Sequence, residues 1–393
     1  MSQPIRVGIT HGDINGVGYE VIIKSLADET MTEICTPIIF GYHYIAEKCR
    51  RQLGLEELKL YKAADAGTAQ NGRVSVVEVG PDVPELTPGE GNAVSGKAAV
   101  DALVMAVEAL KNGDIDVLVT APISKEAVQS DKFHFPGHTE FLEQAIGNGA
   151  KARMILFDDN VRVALVSTHL PMSEVAAAIT KESVTAAVES LNDSLKRDFG
   201  FERPCIAVLS LNPHAGDGGL LGSEEKEIIE PVIKDMRERG ILAFGSFAAD
   251  GFFGLGDYRK FDGIVAMYHD QGLAPFKTIA GEHGVNFTAG LPYVRTSPDH
   301  GTAFGIAWKG EADETSMREA IYKAIDIFRR REIFAEANAN PLKKYVNERP
   351  DRGERQDRAA KKDKTAKSFK NPEDVMPELD AEKTTTTNET KES

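Results

Sequence analysis

Residues 263–272 read GIVAMYHDQG, an apolar run of strand-forming residues that ends in a histidine and an aspartate. Two other stretches have the same layout: VRVALVSTHL at residues 161–170 and CIAVLSLNPH at residues 205–214. Helix-like patterns alternate with such runs along most of the chain. Strands that alternate with helices are typical of an α/β fold with a largely parallel sheet.

The same pattern gives a coarse secondary structure for the whole chain. Predicted strands lie at Arg6–Thr10, Pro37–Phe40, Val117–Thr120, Ala152–Phe157, Val161–Ser167, Cys205–Leu209 and Gly263–Met267. Predicted helices include Gly18–Leu26, Ser95–Leu110, Ser173–Ile179, Lys181–Phe199, Glu224–Arg239 and Thr315–Ala335. Because ligands of such folds bind at the carboxyl ends of strands, the polar strings that follow the strands are the candidates for a functional site.

Composition and charge restrict the class of partner. Hydrophobic residues make up 41% of the 393 residues, and 61 acidic residues outnumber 46 basic ones, for a net charge of −15. Nucleic-acid binding needs a clustered basic face, so we expect no nucleic-acid partner. At roughly 150 residues per domain, the length suggests two lobes.

The expected location is the cytoplasm. Cys35, Cys49 and Cys205 are odd in number and widely spaced, which favours a reducing compartment over a disulfide framework. The first residues lack the charged-then-apolar pattern of a secretory signal. No apolar run reaches the ~20 residues of a membrane span, so no membrane partner is expected.

The end of the chain differs in composition from the rest. Residues 351–370 hold eight Lys or Arg against four acids, and residues 371–393 hold two Lys against seven acids. A segment nearly devoid of large apolar residues cannot bury enough surface to offset its ordering entropy. We therefore predict a two-lobed α/β unit over residues 1–346 and a charged, disordered tail over residues 347–393.

Three histidines each follow a strand-like run by a few residues: His169, His214 and His269. If the strands are parallel neighbours, these side chains converge on one rim of the sheet. Three neutral imidazoles suit Zn, Co or Ni better than Mg. Such a site with an open coordination position serves alcohol oxidation as well as metal-assisted hydrolysis, so the histidines do not select the reaction.

Two glycine-rich strings are compatible with nucleotide binding. Residues 12–18 (GDINGVG) lie between a strand and a helix, but a tight turn explains them without a ligand. Residues 91–98 (GNAVSGKA) fall short of a P-loop because Ala98 replaces the Ser or Thr that holds Mg, and no buried strand precedes them. A kinase or other nucleotide triphosphatase is therefore disfavoured.

Positive and polar groups for a substrate phosphate occur late in the chain, at Lys277, Asn286 and Arg295. Lysine supplies a point charge and arginine a bidentate fork for phosphate. Taken singly, each is more often a solvated charge or a structural ion pair.

The polar strings together closely resemble the 4-hydroxythreonine-4-phosphate dehydrogenase family of pyridoxal-phosphate biosynthesis. The matching strings are Thr120–Lys125, Gly137–Phe141, Thr168–Pro171, Leu211–Gly216, Ala266–Leu273, Gly290–Pro292, Arg295–Ser297 and Asp299–Thr302. The resemblance runs from about residue 7 to about residue 328. It implies the two-lobed fold of the isocitrate and isopropylmalate dehydrogenase superfamily, with the active site in a cleft between the lobes, and a homodimer that completes the metal site across its interface.

The resemblance also implies roles for individual residues. It assigns one divalent metal (Zn, Co or Mg) to His169, His214 and His269. It assigns the substrate to His138, Thr139, Lys277, Asn286 and Arg295, and the adenine end of NAD or NADP to Asp299, His300, Gly301 and Thr302. Lys277, Asp250 and Asp270 are the candidates for catalytic or proton-transfer work, although Asp270 is equally suited to orient the neighbouring imidazole.

The implied reaction is the oxidation of the 3-hydroxyl of 4-phosphohydroxy-L-threonine to a β-keto acid, which loses CO2 to give 3-amino-2-oxopropyl phosphate. Relatives that act on phosphorylated threonate or erythronate are the nearest alternative, because the sequence does not indicate what receives the amino group. A metal-dependent hydrolase or lyase without NAD, and a non-enzymatic metal-binding or interaction protein, are alternatives from other classes.

The chain departs from the family pattern near its start. Family members commonly have proline where this chain has His11, and Pro-Ala where it has Ile14-Asn15. A common threonine is replaced by Gly251. These changes leave the metal and phosphate residues intact and bear on the fine substrate preference.

Overall fold

A single twelve-stranded sheet organises the part of the chain that the computed structural model describes, residues 4–130 and 133–341. Its strands are β1 (Ile5–Thr10), β2 (Cys35–Gly41), β3 (Leu60–Ala63), β4 (Val74–Glu78), β5 (Val117–Thr120), β6 (Arg153–Phe157), β7 (Arg162–Leu165), β8 (Cys205–Leu209), β9 (Leu242–Phe247), β10 (Gly263–Ala266), β11 (Val285–Ala289) and β12 (Val294–Pro298).

Eleven α-helices in the same described ranges cover the sheet. They are α1 (Gly18–Leu26), α2 (Met31–Ile34), α3 (His43–Gln52), α4 (Ala93–Asn112), α5 (His138–Ile146), α6 (Met172–Ala178), α7 (Lys181–Arg197), α8 (Glu230–Glu238), α9 (Ala249–Gly254), α10 (His269–Ala280) and α11 (Thr315–Asn338). A π-helical turn at Glu225–Ile229 leads into α8.

The strand order is β3-β4-β2-β1-β5-β12-β11-β6-β7-β10-β8-β9. The six strands from β3 to β12 pair in parallel, and so do the four strands from β7 to β9. The pairings β12–β11, β11–β6 and β6–β7 are antiparallel. Three reversals in a row make the two parallel blocks run in opposite directions.

The two faces of the sheet have different cores. Alternate residues of the central strands, such as Val119, Ile155 and Phe287, join one apolar core that extends under both parallel blocks. Side chains on the opposite face belong to two separate cores, one around Leu118 and one around Leu156. Since successive side chains of a strand point to opposite faces, the polar residues of β11 and β12 line a cleft between these two cores.

Local chemistry fixes the elements that border the cleft. The side chain of Asn92 accepts hydrogen bonds from the backbone N–H groups of Val94 and Ser95, which caps the start of α4. The Ser95 hydroxyl in turn donates to Asp13 Oδ2 at 3.0 Å. Because Asp13 lies in the glycine-rich turn after β1, the capped helix and that turn hold each other in place.

The predicted α/β class with a largely parallel sheet is confirmed, and all seven predicted strands are present within a few residues of their predicted bounds. The sequence missed β3, β4, β9, β11 and β12. It also placed His138 and His269 in polar strings, whereas each is the first residue of a helix, α5 and α10. The predicted tail at residues 347–393, and the boundary at 346, lie outside the described residues. No helix in the described part of the chain is both long and apolar enough to cross a membrane.

Candidate active site

Arg295 lies on β12 with its side chain in the cleft and only 2% of its surface exposed. Its Nε donates to Thr120 Oγ1 at 3.1 Å, and its Nη1 donates to Thr288 Oγ1 at 3.0 Å. No carboxylate forms an ion pair with it in the described ranges. Burial lowers the pKa of Arg295 to about 9, opposed by the charge of Glu140. A buried guanidinium held by neutral hydroxyls is suited to pair with an anion that enters the cleft.

A cavity of about 220 Å³ opens beside this guanidinium. The predicted residues that line it are His138, Thr139, His169, Asn286, Arg295, His300 and Gly301. Three buried polar atoms of this set have no hydrogen-bond partner: Nε2 of His138, Oδ1 of Asn286 and Nε2 of His300. Because buried polar groups are nearly always satisfied, three such atoms around one cavity indicate that a polar ligand completes them.

Two charged residues that line this cavity had no role in the sequence prediction. Lys125 and Glu140 belong to the family-like strings at residues 120–125 and 137–141, which was the only sequence signal for them. Burial depresses the pKa of His138 well below its ordinary value, and the nearby charges of Arg295 and Lys125 depress it further. The cavity therefore combines a neutral imidazole with two cations and one carboxylate.

Lys277, from the last turn of α10, lies at the edge of this region rather than in its wall. Its ammonium contacts Asp299 Oδ1 at 2.8 Å and donates to the Asp299 carbonyl at 2.8 Å. Asp299 and His300 also line a second cavity of about 250 Å³. The loop that follows β12 therefore separates two neighbouring cavities and contributes His300 to both.

The glycine-rich turn after β1 supports this loop. The backbone N–H of Val17 donates to the carbonyl of Thr302 at 3.0 Å. A Cβ at Gly16 would lie 2.8 Å from the same carbonyl oxygen, so only glycine permits this approach. The side chain of Val17 lines the second cavity. The turn is thus a wall of that cavity as well as a connection between β1 and α1.

Two of the three predicted metal ligands come together. The rings of His169 and His269 follow β7 and β10, neighbouring parallel strands, and their centroids are 6.1 Å apart. Nδ1 of His269 lies 2.7 Å from Asp270 Oδ1, which leaves Nε2 of that ring free for a ligand. Partial burial lowers the pKa of His169, so this ring is neutral near pH 7. The pair fits two nitrogen ligands of a divalent metal.

The third predicted ligand lies on a conformationally unusual loop. His214, Ala215, Gly216, Asp217 and Gly218 all have positive φ, between +42° and +76°. The carboxylate of buried Glu225 accepts hydrogen bonds from the N–H groups of Leu211 and Asn212, both at 2.8 Å, and from Asn212 Nδ2 at 3.0 Å. Glu225 therefore anchors the base of the loop, while the His214 side chain is exposed.

Within residues 4–130 and 133–341, no three His, Cys, Asp or Glu side chains are arranged to hold a metal ion. The chain by itself thus assembles a histidine pair and not the predicted set of three. Asp250, predicted for proton transfer, is exposed in the first turn of α9, and Asp270 is 84% exposed. The roles assigned to these residues stay predictions.

The fold and cleft define an α/β protein whose two lobes share one sheet and present a polar, cation-bearing site between them. Residues 33–324 match the family described as pyridoxal phosphate biosynthetic protein PdxA, and the chain belongs to this family. The resemblance inferred from the sequence is thus confirmed.

Curated relatives carry two kinds of name. A 4-hydroxythreonine-4-phosphate dehydrogenase from Bacteroides thetaiotaomicron is 54% identical over 347 residues, covering 88% of this chain and 95% of the relative. A D-threonate 4-phosphate dehydrogenase from Cupriavidus necator is 39% identical over 328 residues, covering 83% and 98%.

Solved structures agree with this relationship. The crystal structure of a 4-hydroxythreonine-4-phosphate dehydrogenase from Klebsiella pneumoniae is similar with a TM-score of 0.71 at 33% identity, covering 83% of this chain and 99% of that one. A structure of the same name from Burkholderia phymatum has a TM-score of 0.68 at 39% identity, covering 83% and 99%.

Proposed function

We propose that this protein is a metal-requiring, NAD(P)-dependent dehydrogenase of 4-phosphohydroxy-L-threonine. It oxidises the 3-hydroxyl to a β-keto acid, which decarboxylates to 3-amino-2-oxopropyl phosphate. The observation that carries the proposal is the buried Arg295 guanidinium without an ionic partner, next to the unsatisfied polar atoms of His138 and Asn286. The 54% identity to a protein named for this activity supports the choice of reaction.

The substrate phosphate is assigned to the cation-bearing wall of the cleft. Arg295 offers a bidentate fork and Lys277 a point charge from the rim. Thr139, in the first turn of α5, lines the same cavity and adds a hydroxyl donor. Asn286 and His138 complete the polar set, and Glu140, which lines the same cavity, is the carboxylate that we assign to the ammonium group of the substrate.

The nicotinamide nucleotide is assigned to the second cavity and the loop Asp299–Thr302. The loop borders both cavities through His300, so a nucleotide bound on one side faces the substrate on the other. When bound, NAD or NADP supplies the acceptor for the hydride that leaves the substrate carbon. The chain contributes an apolar surface for the nucleotide and keeps the two ligands adjacent.

A divalent metal is assigned to His169 and His269, with His214 as the third ligand. When bound, Zn, Co or Mg supplies a Lewis acid for the substrate hydroxyl. Asp270 fixes the orientation of the His269 ring by accepting a hydrogen bond from Nδ1. The family resemblance makes Lys277 or Asp250 the candidate for proton transfer. The family resemblance implies that a second copy of the chain completes the site, and the described residues of one chain bring together the pair His169 and His269.

A homodimer is therefore part of the proposal. Large apolar side chains are exposed on the segments that carry the histidines: Met172 is 67% exposed and Leu220 is 80% exposed. Neighbouring exposed apolar residues on these segments are Leu170 and Leu221. Exposed apolar side chains of this size are typical of a protein interface, and an interface at these segments would bring the histidines of two copies together. The cytoplasmic location expected from the cysteines belongs to the same proposal.

Oxidation of phosphorylated threonate is the second candidate, because a relative at 39% identity is named D-threonate 4-phosphate dehydrogenase. The mechanism would be the same, and only the group that replaces the amino group differs. The hydrolase or lyase alternative lacks such a relative among the matches described above.

NADH formation distinguishes these functions. Purified protein is mixed with divalent metal, NAD and either 4-phosphohydroxy-L-threonine or phosphorylated D-threonate, and absorbance of the reduced cofactor is followed. Turnover of the amino substrate supports the proposal. Turnover of phosphorylated threonate alone would instead identify the protein as a sugar-acid dehydrogenase. Absence of turnover with either substrate, whether NAD or NADP is supplied, would overturn the proposal.

A further inference from the structure

The second cavity, which we name the nucleotide cavity, is apolar in its walls and acidic at its edge. Its lining residues are Val17, Val21, Gly281, Glu282, Asp299, His300, Ala303, Ile306, Ala312, Asp313 and Ser316. Apolar walls with a few polar groups are what a planar base and a ribose need. His300 lines both this cavity and the substrate cavity, so the two cavities are neighbours that share one wall.

The charges of the nucleotide cavity all have one sign. Glu282, Asp299 and Asp313 contribute carboxylates, and no Lys or Arg lines the cavity among the residues that the structure describes. Asp299 is neutralised by Lys277 at 2.8 Å. Glu282 and Asp313 have no ion-pair partner within the described ranges. These two carboxylates make this edge acidic, while the more distant charges of Arg318 and Lys24 partly offset that of Asp313.

Cations close to the nucleotide cavity are already engaged. Lys24 donates to the carbonyls of Gly310 and Ala312, at 2.9 and 2.6 Å. Arg318 pairs with Glu314 one turn away on the same helix. Neither side chain is free to turn toward an added anion without losing these contacts.

The first turn of α11 offers little to an anion as well. The backbone N–H of Thr315 donates to Asp313 Oδ1 at 2.7 Å, so the carboxylate already occupies the positive end of the helix. The Ser316 hydroxyl donates to the Gly284 carbonyl and accepts from the Asp299 N–H, at 2.7 and 2.9 Å. A hydrogen bond from the Thr315 side chain also reaches the Asp313 carboxylate and lowers its pKa, so the group stays charged beside the cavity.

We infer that the nucleotide cavity discriminates NAD from NADP, with Glu282 and Asp313 as the specificity-determining residues. This inference rests on the proposed dehydrogenase function. A carboxylate accepts hydrogen bonds from the ribose hydroxyls of NAD. The 2′-phosphate of NADP would instead lie against two carboxylates, and such like-charge contacts cost several kcal/mol. The chain is therefore an NAD enzyme that rejects NADP.

Steady-state kinetics with both cofactors test the inference. The wild-type protein is expected to have a kcat/KM for NAD at least ~100-fold above that for NADP, since each 1.4 kcal/mol is a factor of ten. The double variant Glu282→Gln/Asp313→Asn removes both charges, and asparagine keeps the helix-capping oxygen. In the double variant, the ratio of kcat/KM for NAD to kcat/KM for NADP should fall at least about tenfold, because the KM for NADP should be lower.

Glu311→Gln is the matched control, because Glu311 is exposed, belongs to the same loop and does not line the cavity. It should leave the NAD/NADP ratio at the wild-type value. Equal use of the two cofactors by the wild type would overturn the inference. So would a double variant whose ratio does not differ from that of the control.

Nucleotide binding separates a failure of this inference from a failure of the proposed function. Isothermal titration with AMP and with adenosine 2′,5′-bisphosphate needs no turnover. The wild type should bind AMP at least about tenfold more tightly, and the double variant should lose this difference. If the protein shows this binding pattern but turns over neither substrate, the inferred nucleotide discrimination holds and the proposed dehydrogenase function is refuted. Turnover with equal binding of the two nucleotides refutes the discrimination alone.

Discussion

The ammonium of Lys277 lies 2.8 Å from a carboxylate oxygen of Asp299 and also donates to the backbone carbonyl of the same residue. The family resemblance of the sequence assigns these two residues to different ligands, Lys277 to the substrate and Asp299 to the nucleotide. The ion pair joins the end of α10 to the loop after β12. The two assigned sites are therefore coupled through one charge pair.

This coupling predicts a non-additive pair of substitutions. Lys277→Met should raise the KM for the phosphorylated substrate, because it removes a positive charge and leaves the Asp299 carboxylate to repel the phosphate. The double variant Lys277→Met/Asp299→Asn should bind substrate several-fold better than Lys277→Met alone. KM values from all four combinations measure the coupling. Additive effects would show that the ion pair does not influence the substrate.

The substitution Arg295→Met should lower the activity of the protein and leave its stability nearly unchanged. Loss of the buried guanidinium should lower kcat/KM by at least ~30-fold, because a desolvated charge that pairs with an anion contributes about 2–5 kcal/mol. The melting temperature should change little, since a buried cation without an acidic partner does not stabilise the free protein. Enzyme kinetics and a thermal melt of the same sample check both parts.

Inorganic phosphate gives a readout of Arg295 that is independent of turnover. Millimolar phosphate should raise the melting temperature of the wild type and not that of Arg295→Met. Arg162→Met is the control, because Arg162 stacks on Phe199 and Phe201 away from the cavity, and it should keep the phosphate response. A response retained by Arg295→Met would exclude Arg295 from the phosphate site.

His11, which stands where the family commonly has proline, predicts a pH dependence of stability. Its ring is fully buried and stacks on Tyr19 at 5.2 Å between centroids. Burial lowers the pKa of His11 to about 4, from 6.5 in the unfolded chain. Between these values the unfolded chain binds a proton that the folded chain does not. Stability is therefore lost as the pH falls from 6.5 toward 4.

The loss attributable to His11 is about 3 kcal/mol over that range. Urea unfolding at several pH values, for the wild type and for His11→Phe, measures it. Phenylalanine can stack on Tyr19 and does not titrate, so the free energy of unfolding of the variant should fall less steeply with pH. Parallel curves for the two proteins would contradict the assignment.

Glu225 should determine metal affinity although it is not proposed as a ligand. It holds the loop of His214 by three hydrogen bonds, and residues that orient ligands typically contribute 10- to 100-fold in affinity. Glu225→Ala should weaken zinc binding by about that factor, measured by competition with a chelator. Glu227→Ala, an exposed neighbour on the same π-helical turn, should not. Equal zinc affinities of the two variants would show that Glu225 does not position the His214 loop for the metal.

The sequence predicted the strands that precede the histidines because each is a run of mostly apolar, strand-forming residues. It missed β11 and β12 because polar residues interrupt both runs: Asn286 and Thr288 in β11, and the consecutive Arg295, Thr296 and Ser297 in β12. The polar positions other than Thr296 face the cleft and form the candidate site. The features that make the two strands functional are therefore the same ones that concealed them as strands.

Other parts of the site depend on contacts between distant segments, which no local pattern encodes. The support of the loop at Thr302 by Val17, across the whole fold, is one example. The left-handed backbone of His214 and Ala215 is another, because neither residue type favours positive φ and the conformation depends on the Glu225 anchor. Residue type identified these side chains as candidates, and tertiary contacts determined which of them meet.

The continuous core under both parallel blocks has a consequence for how the molecule loses its structure. Val119 and Ile155 belong to that core on opposite sides of the cleft, and Phe287 lies on the strand between them. Separating the lobes would expose this shared apolar floor to water, so neither lobe is stable without the other. We therefore expect residues 4–130 and 133–341 to unfold as one cooperative unit, and a fragment that ends within the central strands to leave part of this core exposed.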